Sequence, residues 1–275
     1  MPGQLASELA LASRLAREAG AVIEQVRERG FSARAKADSS PVTDADLAAD
    51  ALIRAGLTAA FPADGVLSEE SGDSPGPRRP RTWIVDPLDG TEAFVDGVTR
   101  GYAVQIGLLD GLTPVLGVVY EPHEDRLMWA VRGHGTYLEH ADEVYGPLRV
   151  SARVDLATMP LLTSVRIAPA LRGRLLTVGL PDAGALHSVG VKVGALVCGT
   201  ADVYVSEHPI SHWDSCAPLV LLEEAGGVLT QLDGSPFSYA IDPVRGPRHP
   251  GPLVASNGPR HADLCAAFRA VWDPA

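Results

Sequence analysis

The 275 residues carry a formal net charge of −11, and 46% of them are hydrophobic. A chain of this length and composition is typical of a soluble globular protein with one large domain or two closely packed lobes. The acidic balance disfavours a nucleic-acid groove, because binding a polyanion needs clustered Lys and Arg. The tightest basic cluster, Arg78, Arg79 and Arg81, lies among Pro and Gly residues, so we expect a solvated loop there and not a phosphate site.

The cysteines and the hydropathy pattern bear on the compartment. Cys198, Cys216 and Cys265 are odd in number and widely spaced, which disfavours a disulfide framework or a zinc ribbon and suits a reducing environment. No stretch reaches the roughly 18 apolar residues that a membrane-spanning helix needs. We therefore expect a cytoplasmic protein that does not act at a membrane.

Two amphipathic helices open the chain. Apolar residues recur at helical spacing over residues 5–29, and Gly30 is suited to end that helix. A second helix is predicted over residues 43–61, where Pro62 stops it.

Short β-prone runs follow the helices. The runs over residues 66–68 and 82–85 are each followed by an acidic residue, Glu69 and Asp86 respectively. Three further runs, over residues 102–109, 114–120 and 126–131, are predicted to form an antiparallel meander.

Beyond about Gly146 the pattern alternates between strands and helices, which indicates a second lobe of α/β character. We divide the chain into an N-terminal α+β lobe over residues 1–146 and a C-terminal α/β lobe over residues 147–275. The predicted strands of the second lobe span residues 161–165, 201–205, 228–232 and 253–256, and its helices span residues 191–198, 214–225 and 261–271.

The densest chemical signal is the run Trp83-Ile-Val-Asp-Pro-Leu-Asp-Gly-Thr91. Its carboxylates, Asp86 and Asp89, are able to converge on adjacent cations, and the backbone bend lets the Leu88 carbonyl ligate as well. In an acidic protein, such cations would also attract an anionic substrate. Taken alone, the Asp-x-x-Asp pair is also compatible with a tight turn that caps a helix.

Gly90 and Thr91 begin a predicted helix at the same place. The free N–H groups and positive dipole end of that helix favour a phosphate beside the cations.

The run belongs to a set of motifs that resembles the inositol monophosphatase-like superfamily of Mg²⁺-dependent, lithium-sensitive phosphatases, which includes bisphosphate nucleotidases and fructose-1,6-bisphosphatase. The resemblance extends over essentially the whole chain and implies a layered αβαβα sandwich, with a homodimer as the suggested oligomer. The other matching motifs, in order, are Pro41-Val-Thr-Asp-Ala-Asp46, Leu67-Ser-Glu-Glu-Ser71, Trp213-Asp-Ser-Cys-Ala-Pro218 and Glu224-Ala-Gly-Gly227.

By that resemblance, two or three Mg²⁺ ions are held by the side chains of Glu69, Asp86, Asp89 and Asp214 and by the Leu88 carbonyl. Oxygen ligands without His or Cys suit this ion. Asp214 has the alternative role of capping the helix that follows it.

The resemblance also implies that Asp46 and Thr91 position and deprotonate the attacking water, although Thr43 and Asp46 also have the spacing of a helix capping box. For Glu70 we expect a solvated neighbour of Glu69, because adjacent strand residues point to opposite faces.

The substrate is expected to be a small phosphate ester. The Trp-Asp-Ser-Cys-Ala-Pro string is similar to that of animal-type bisphosphate nucleotidases, and Lys192 falls where those enzymes place a nucleotide-contacting lysine. This favours 3′-phosphoadenosine 5′-phosphate, which would be cleaved to AMP and phosphate. The alternative interpretation of Lys192 is an exposed lysine on a helix.

One segment departs from that pattern. Thr163-Ser-Val-Arg166 stands where nucleotidases end in a histidine, so Arg166 either substitutes in binding phosphate or sits on the surface. Inositol monophosphate or another sugar phosphate is the alternative substrate. A non-catalytic metal- or phosphate-binding protein of the same fold is the alternative of a different class.

Overall fold

The computed structural model describes residues 5–36, 41–73 and 79–272. Within these residues, two β-sheets alternate with three layers of helices. Arg78 of the predicted basic loop lies outside the described residues.

The larger sheet has eight strands in the order β10-β9-β8-β7-β6-β5-β3-β4. All neighbouring pairs are antiparallel except β3 and β5, which are parallel. The strands are β3 (Gly65–Ser68), β4 (Gly72–Asp73), β5 (Arg81–Asp89), β6 (Ala103–Asp110), β7 (Thr113–Glu121), β8 (Arg126–Val131), β9 (Thr136–His140) and β10 (Glu143–Leu148). A separate two-stranded ribbon joins β1 (Ala33–Ala35) to β2 (Pro41–Thr43).

The smaller sheet has five strands in the order β12-β11-β13-β15-β14. Its first three strands are parallel, and β15 runs antiparallel to both of its neighbours. The strands are β11 (Leu161–Ser164), β12 (Asp182–Leu186), β13 (Val203–Ser206), β14 (Val228–Gln231) and β15 (Leu253–Ser256).

Seven helices fill the remaining layers of the described structure. They are α1 (Ala6–Arg29), α2 (Asp44–Ala60), α3 (Thr91–Val95), α4 (Pro169–Leu176), α5 (Val189–Val197), α6 (His212–Glu224) and α7 (His261–Trp272).

Alternation along the strands of the large sheet separates two hydrophobic cores. On β5, Trp83 and Val85 pack with α1 and α2, whereas Ile84 faces the core shared with α5 and α6. Residues of the small sheet such as Tyr204 close that middle core, and a third core lies between the small sheet and helices α4 and α7. The expected αβαβα sandwich is therefore confirmed.

Most predicted helices and strands are present, with ends that differ by two residues or fewer. Strand β5 is the exception, because it continues to Asp89 and does not end at residue 85. Seven elements were not predicted from the sequence, namely β1, β2, β4, β9, β10, α4 and β12. The proposed lobe boundary after residue 146 falls within β10, and the division into lobes stays a prediction.

The prediction that the basic cluster lies in a solvated loop is wrong for Arg81. Its guanidinium forms ion pairs with Glu8 (2.8 Å) and Asp64 (2.9 Å), and these pairs join α1 and the loop before β3 to the start of β5. Arg79 donates to the Pro62 carbonyl at 2.9 Å. No helix in the described part of the chain combines the length and apolar character needed to cross a bilayer.

Glycines let α6 lie close against the large sheet. A Cβ atom on Gly117 of β7 would come within 2.4 Å of the Ala217 carbonyl oxygen, and one on Gly107 of β6 would come within 2.6 Å of Cys216 Sγ. The obstacle at Gly117 is helix backbone, which cannot rotate away. The position of α6, and of every residue in it, thus depends on the absence of a side chain at Gly107 and Gly117.

We predict that Gly117→Ala lowers the free energy of unfolding by about 1–3 kcal/mol, because the added methyl group forces α6 off the sheet. Gly173→Ala in α4 is the matched control, since its Cβ would meet nothing within 4 Å. That variant should be more stable by up to about 1 kcal/mol, because alanine restricts the unfolded chain. Urea unfolding of both variants checks this, and equal stability of the two would contradict it.

Candidate active site

A register shift in β5 brings two carboxylates to one place. Asp86 pairs with Gln105 on β6, but Asp89 pairs with Ala103, so the segment between them has an extra residue. In a regular strand, residues three apart point to opposite faces. The irregularity lets Asp86 and Asp89 face the same site.

Asp214 reaches this site from the first turn of α6. Ser211 precedes the helix, and its backbone N–H donates to Asp214 Oδ2 at 2.6 Å in a capping box. Carboxylate oxygens of Asp86, Asp89 and Asp214 lie within 4.8 Å of one another. The alternative role of Asp214 as the N-cap residue is therefore wrong, because Ser211 is the N-cap; Asp214 lies at the third helical position, where it takes part in the capping box and in the carboxylate cluster.

Burial makes this cluster electrostatically costly without a cation. Asp86 and Asp89 are 1% and 6% exposed. Burial and the neighbouring carboxylates raise the pKa of Asp86 well above its ordinary value, that of Asp89 to about 6 and that of Asp214 to about 8. Buried like charges persist when cations compensate them, and an all-oxygen donor set suits a hard divalent ion.

Three donors fix the orientation of Asp89. Its Oδ2 accepts hydrogen bonds from Ser188 Oγ (2.6 Å), Gly190 N (2.9 Å) and Gln105 Nε2 (2.6 Å). Ser188 and Gly190 belong to the start of α5, so the middle helix layer holds a carboxylate of the large sheet. With Oδ2 saturated, Oδ1 is the oxygen left to ligate. The roles of Ser188 and Gln105 were not predicted from the sequence, because these contacts join distant parts of the chain.

Asp46 and Thr91 form the expected pair. Asp46 Oδ2 accepts from the backbone N–H (2.7 Å) and hydroxyl (2.5 Å) of Thr43, which confirms the capping box. Thr91 Oγ1 lies 2.8 Å from Asp46 Oδ1 and 3.0 Å from the Leu88 carbonyl oxygen, and its hydroxyl donates to one of them. Burial raises the pKa of Asp46.

Glu69 and Glu70 share Lys36. The lysine ammonium lies 2.7 Å from Glu69 Oε1 and 2.5 Å from Glu70 Oε1. The expectation of a solvated Glu70 is wrong, since its side chain is 5% exposed and burial raises its pKa to about 7. Glu69 lines the cavity beside the cluster, and its role as a metal ligand stays a prediction.

The carboxylates open into a cavity of about 510 Å³ with walls from both sheets. Gly90, Thr91 and Leu88 line it on the large-sheet side. Gly90 has φ +94°, and a Cβ there would come within 2.3 Å of the Gly101 carbonyl oxygen, so glycine is needed at this bend.

Lys192 lines the cavity, but it is not the exposed lysine of the alternative interpretation. It is 1% exposed, and its ammonium donates to the carbonyls of Leu186 (3.1 Å) and His187 (2.8 Å) and lies 4.6 Å from the centroid of the Tyr204 ring. Burial lowers its pKa to about 8. These two hydrogen bonds use two of its three N–H donors, so contact with a substrate stays a prediction.

Of the two remaining predicted substrate contacts, Thr163 does not line the cavity and Arg166 does. Thr163 is 1% exposed on β11, where its hydroxyl contacts Arg172 Nε and the Gly184 carbonyl, and its neighbour Ser164 lines the cavity instead. Arg166 does line the cavity, and it forms a two-pronged ion pair with Glu92 at 2.6 and 3.0 Å. Thr163 faces away from the cavity because adjacent residues of a strand point to opposite sides of the sheet.

The sequence matches the family model described as the inositol monophosphatase family over residues 4–272. The chain belongs to the inositol monophosphatase family. It is therefore a phosphatase, a phosphoric monoester hydrolase, of a family whose enzymes use divalent metals, and the carboxylate cluster is the feature of its cavity that fits such ions.

Relatives within the family are named for activities on different substrates. The chain is 37% identical to a histidinol-phosphatase of Mycobacterium tuberculosis, with 86% of this chain and 87% of that protein covered. It is 34% identical to an inositol-1-monophosphatase of Caulobacter vibrioides (94% and 96% covered) and 30% identical to the 3′(2′),5′-bisphosphate nucleotidase CysQ of Aggregatibacter actinomycetemcomitans (82% and 84% covered).

Among solved structures, the extragenic suppressor protein suhB of Bartonella henselae superposes with a TM-score of 0.81 at 26% identity, covering 96% of this chain and 99% of that one.

We predict that Ser188→Ala and Gln105→Leu each raise the Mg²⁺ concentration for half-maximal phosphatase activity by about 10- to 100-fold, because Asp89 loses a donor that orients it. Ser188 also caps α5 by accepting from Val191 N. Its removal therefore costs about 1 kcal/mol of stability as well, whereas Gln105→Leu spares the cap.

Asp155→Ala is the control, because it removes a side-chain cap from a turn outside the cavity. It should leave the metal requirement unchanged. A wild-type metal requirement in both the Ser188 and the Gln105 variants would contradict the positioning role.

Proposed function

We propose that the protein is a Mg²⁺-dependent phosphatase that cleaves 3′-phosphoadenosine 5′-phosphate to AMP and phosphate. The observation that carries the proposal is the distribution of charge in the cavity. Five cationic side chains line it, those of Lys36, Arg166, Lys192, Arg245 and Arg248, beside five acidic ones, three of which form the carboxylate cluster that would hold metal ions. Such a wall favours a substrate that carries anionic charge beyond the phosphate to be cleaved.

Residues of this chain account for the reaction in outline. Asp86, Asp89, Asp214 and Glu69, with the Leu88 carbonyl, would hold the Mg²⁺ ions, which neutralise phosphate charge and acidify water. Thr91 orients the attacking water and relays a proton from it to Asp46, whose raised pKa makes it a stronger base than an exposed aspartate.

The bonding change follows from this arrangement. The water oxygen forms a bond to phosphorus in line with the 3′ P–O bond, which breaks. The departing 3′ oxygen takes up a proton from bulk water and Asp46 returns its proton to bulk water, so that inorganic phosphate and AMP are the products.

L-Histidinol phosphate is the second candidate, because relatives that are 37% and 34% identical bear that activity in their names. Its cationic ammonium group would need an acidic partner outside the metal cluster. Glu92 lines the cavity, but Arg166 binds both of its oxygens and His187 lies 3.5 Å away. Arg166 already neutralises Glu92, so this carboxylate is not available to an ammonium group, and this favours the bisphosphate.

Phosphate release with Mg²⁺ tests the proposal on 3′-phosphoadenosine 5′-phosphate, L-histidinol phosphate and inositol 1-phosphate, with Li⁺ added in a parallel series. We predict a kcat/KM at least about tenfold higher for the bisphosphate, the difference expected from one added charge-assisted contact. Comparable or better efficiency on either monophosphate would overturn the substrate assignment.

Asp89→Asn serves as the loss-of-function control in this assay. It should lower turnover of every substrate by about 10³-fold or more while its circular dichroism stays that of the wild type. Asp96→Asn, at an exposed position just after α3, should retain activity. Near-normal turnover by Asp89→Asn would contradict the metal-site assignment.

A further inference from the structure

Two arginines in the cavity come from a segment that the sequence motifs did not include. Arg245 and Arg248 lie between β14 and β15, and both line the cavity that holds the carboxylate cluster. The segment has no helix or strand of its own, so its hydrogen bonds determine where the two guanidinium groups lie.

The residues before α6 hold this segment in place. Arg248 forms an antiparallel bridge with Ser211. On either side of that bridge, His212 N donates to the Pro247 carbonyl at 2.8 Å and His249 N donates to the Ile210 carbonyl at 2.9 Å. Arg248 is therefore paired with the residue whose N–H also binds Asp214.

A buried contact reinforces the attachment. His249 is 1% exposed, and its Nε2 lies 2.7 Å from Ser215 Oγ on the first turns of α6. Its ring stacks on Phe237 with centroids 4.2 Å apart. Burial lowers the pKa of His249 to about 3, so the ring stays neutral and the contact persists at neutral pH.

Arg245 is braced within a tight turn. Asp242 and Gly246 exchange backbone hydrogen bonds of 3.1 and 2.9 Å across this turn. Asp242 Oδ1 accepts from the backbone N–H groups of Val244 and Arg245, and Asp242 Oδ2 lies 2.5 Å from Arg245 Nη2. A guanidinium has five N–H donors, so this ion pair leaves most of them for a ligand.

We propose that Arg245 and Arg248 form an anion subsite that binds the second, uncleaved phosphate of the substrate and so selects bisphosphorylated esters over monophosphates. This inference rests on the proposed function and assigns its specificity to named residues. Arg248 lies beside the N-terminus of α6, so an anion bound there is adjacent to the Asp214 side of the metal cluster. Because the segment is already braced, binding needs little ordering of the protein.

The test compares substrates that differ only in the second phosphate. We would measure kcat and KM of wild type, Arg245→Gln, Arg248→Gln and the double variant on 3′-phosphoadenosine 5′-phosphate and on adenosine 3′-monophosphate. Arg260→Gln is a matched control. Arg260 pairs with Asp263, three residues away in the chain, just as Arg245 pairs with Asp242, but Arg260 does not line the cavity.

We expect each single variant to lower kcat/KM for the bisphosphate by about 10- to 100-fold, mainly through a higher KM. The fold loss of kcat/KM for the monophosphate should be at least about tenfold smaller. Arg260→Gln should change neither substrate. The preference of the wild type for the bisphosphate should weaken as salt concentration rises, because the added contact is ionic.

The outcomes separate the subsite from the proposed function. If the wild type cleaves the bisphosphate well and the variants lose efficiency equally on both substrates, the subsite is refuted while the function stands. If the wild type does not cleave the bisphosphate, the proposed function fails. The same variants are then compared on inositol 1,4-bisphosphate and inositol 1-phosphate, where an unchanged ratio refutes the subsite and a tenfold loss of the bisphosphate preference supports it.

Discussion

Repulsion among buried carboxylates is the constraint on which this structure depends. Asp86 and Asp89 come from the large sheet and Asp214 from α6, yet their oxygens lie within 4.8 Å of one another. Burial and mutual repulsion raise the pKa of all three. A divalent cation placed among them would remove this cost, so the same charges that repel one another would bind the ion that the proposed chemistry requires.

The middle helix layer makes the close approach possible. Glycines at positions 107 and 117 let α6 lie against the large sheet, which brings Asp214 to β5. Ser188 and Gly190, at the start of α5, donate to Asp89 and orient it. The segment around Arg248 is bonded to the residues before α6. Metal binding, orientation and the proposed selection of substrate therefore share one scaffold, the N-terminal ends of α5 and α6.

The features predicted correctly from the sequence are those determined by residues close together in the chain. Helical spacing gave α1 and α2, and the carboxylate motifs gave the three residues that the structure brings together. Strand β12 was missed because its Asp-Ala-Gly-Ala-Leu sequence lacks β-branched residues and pairs only through its parallel neighbour β11. The error at Glu70, the burial of Lys192 and the unrecognised role of Ser188 have another cause. Their burial and partners come from contacts between segments far apart in the chain, which no local spacing encodes.

The most direct test of this electrostatic interpretation is to compare the thermal unfolding of the wild type and of Asp214→Asn at pH 8. Each protein is measured with a chelator and with Mg²⁺ at about 100 times the Kd of the wild type. The raised pKa of Asp214 means that folding binds a proton more tightly there, so this group costs stability as pH rises from 3.8 towards about 8. Asn carries no such charge.

With chelator, Asp214→Asn should therefore unfold at a higher temperature than the wild type. Mg²⁺ should raise the Tm of the wild type by about 5 °C and leave that of the variant nearly unchanged. A metal-free variant less stable than the wild type, or an equal Mg²⁺ shift in both proteins, would contradict the account.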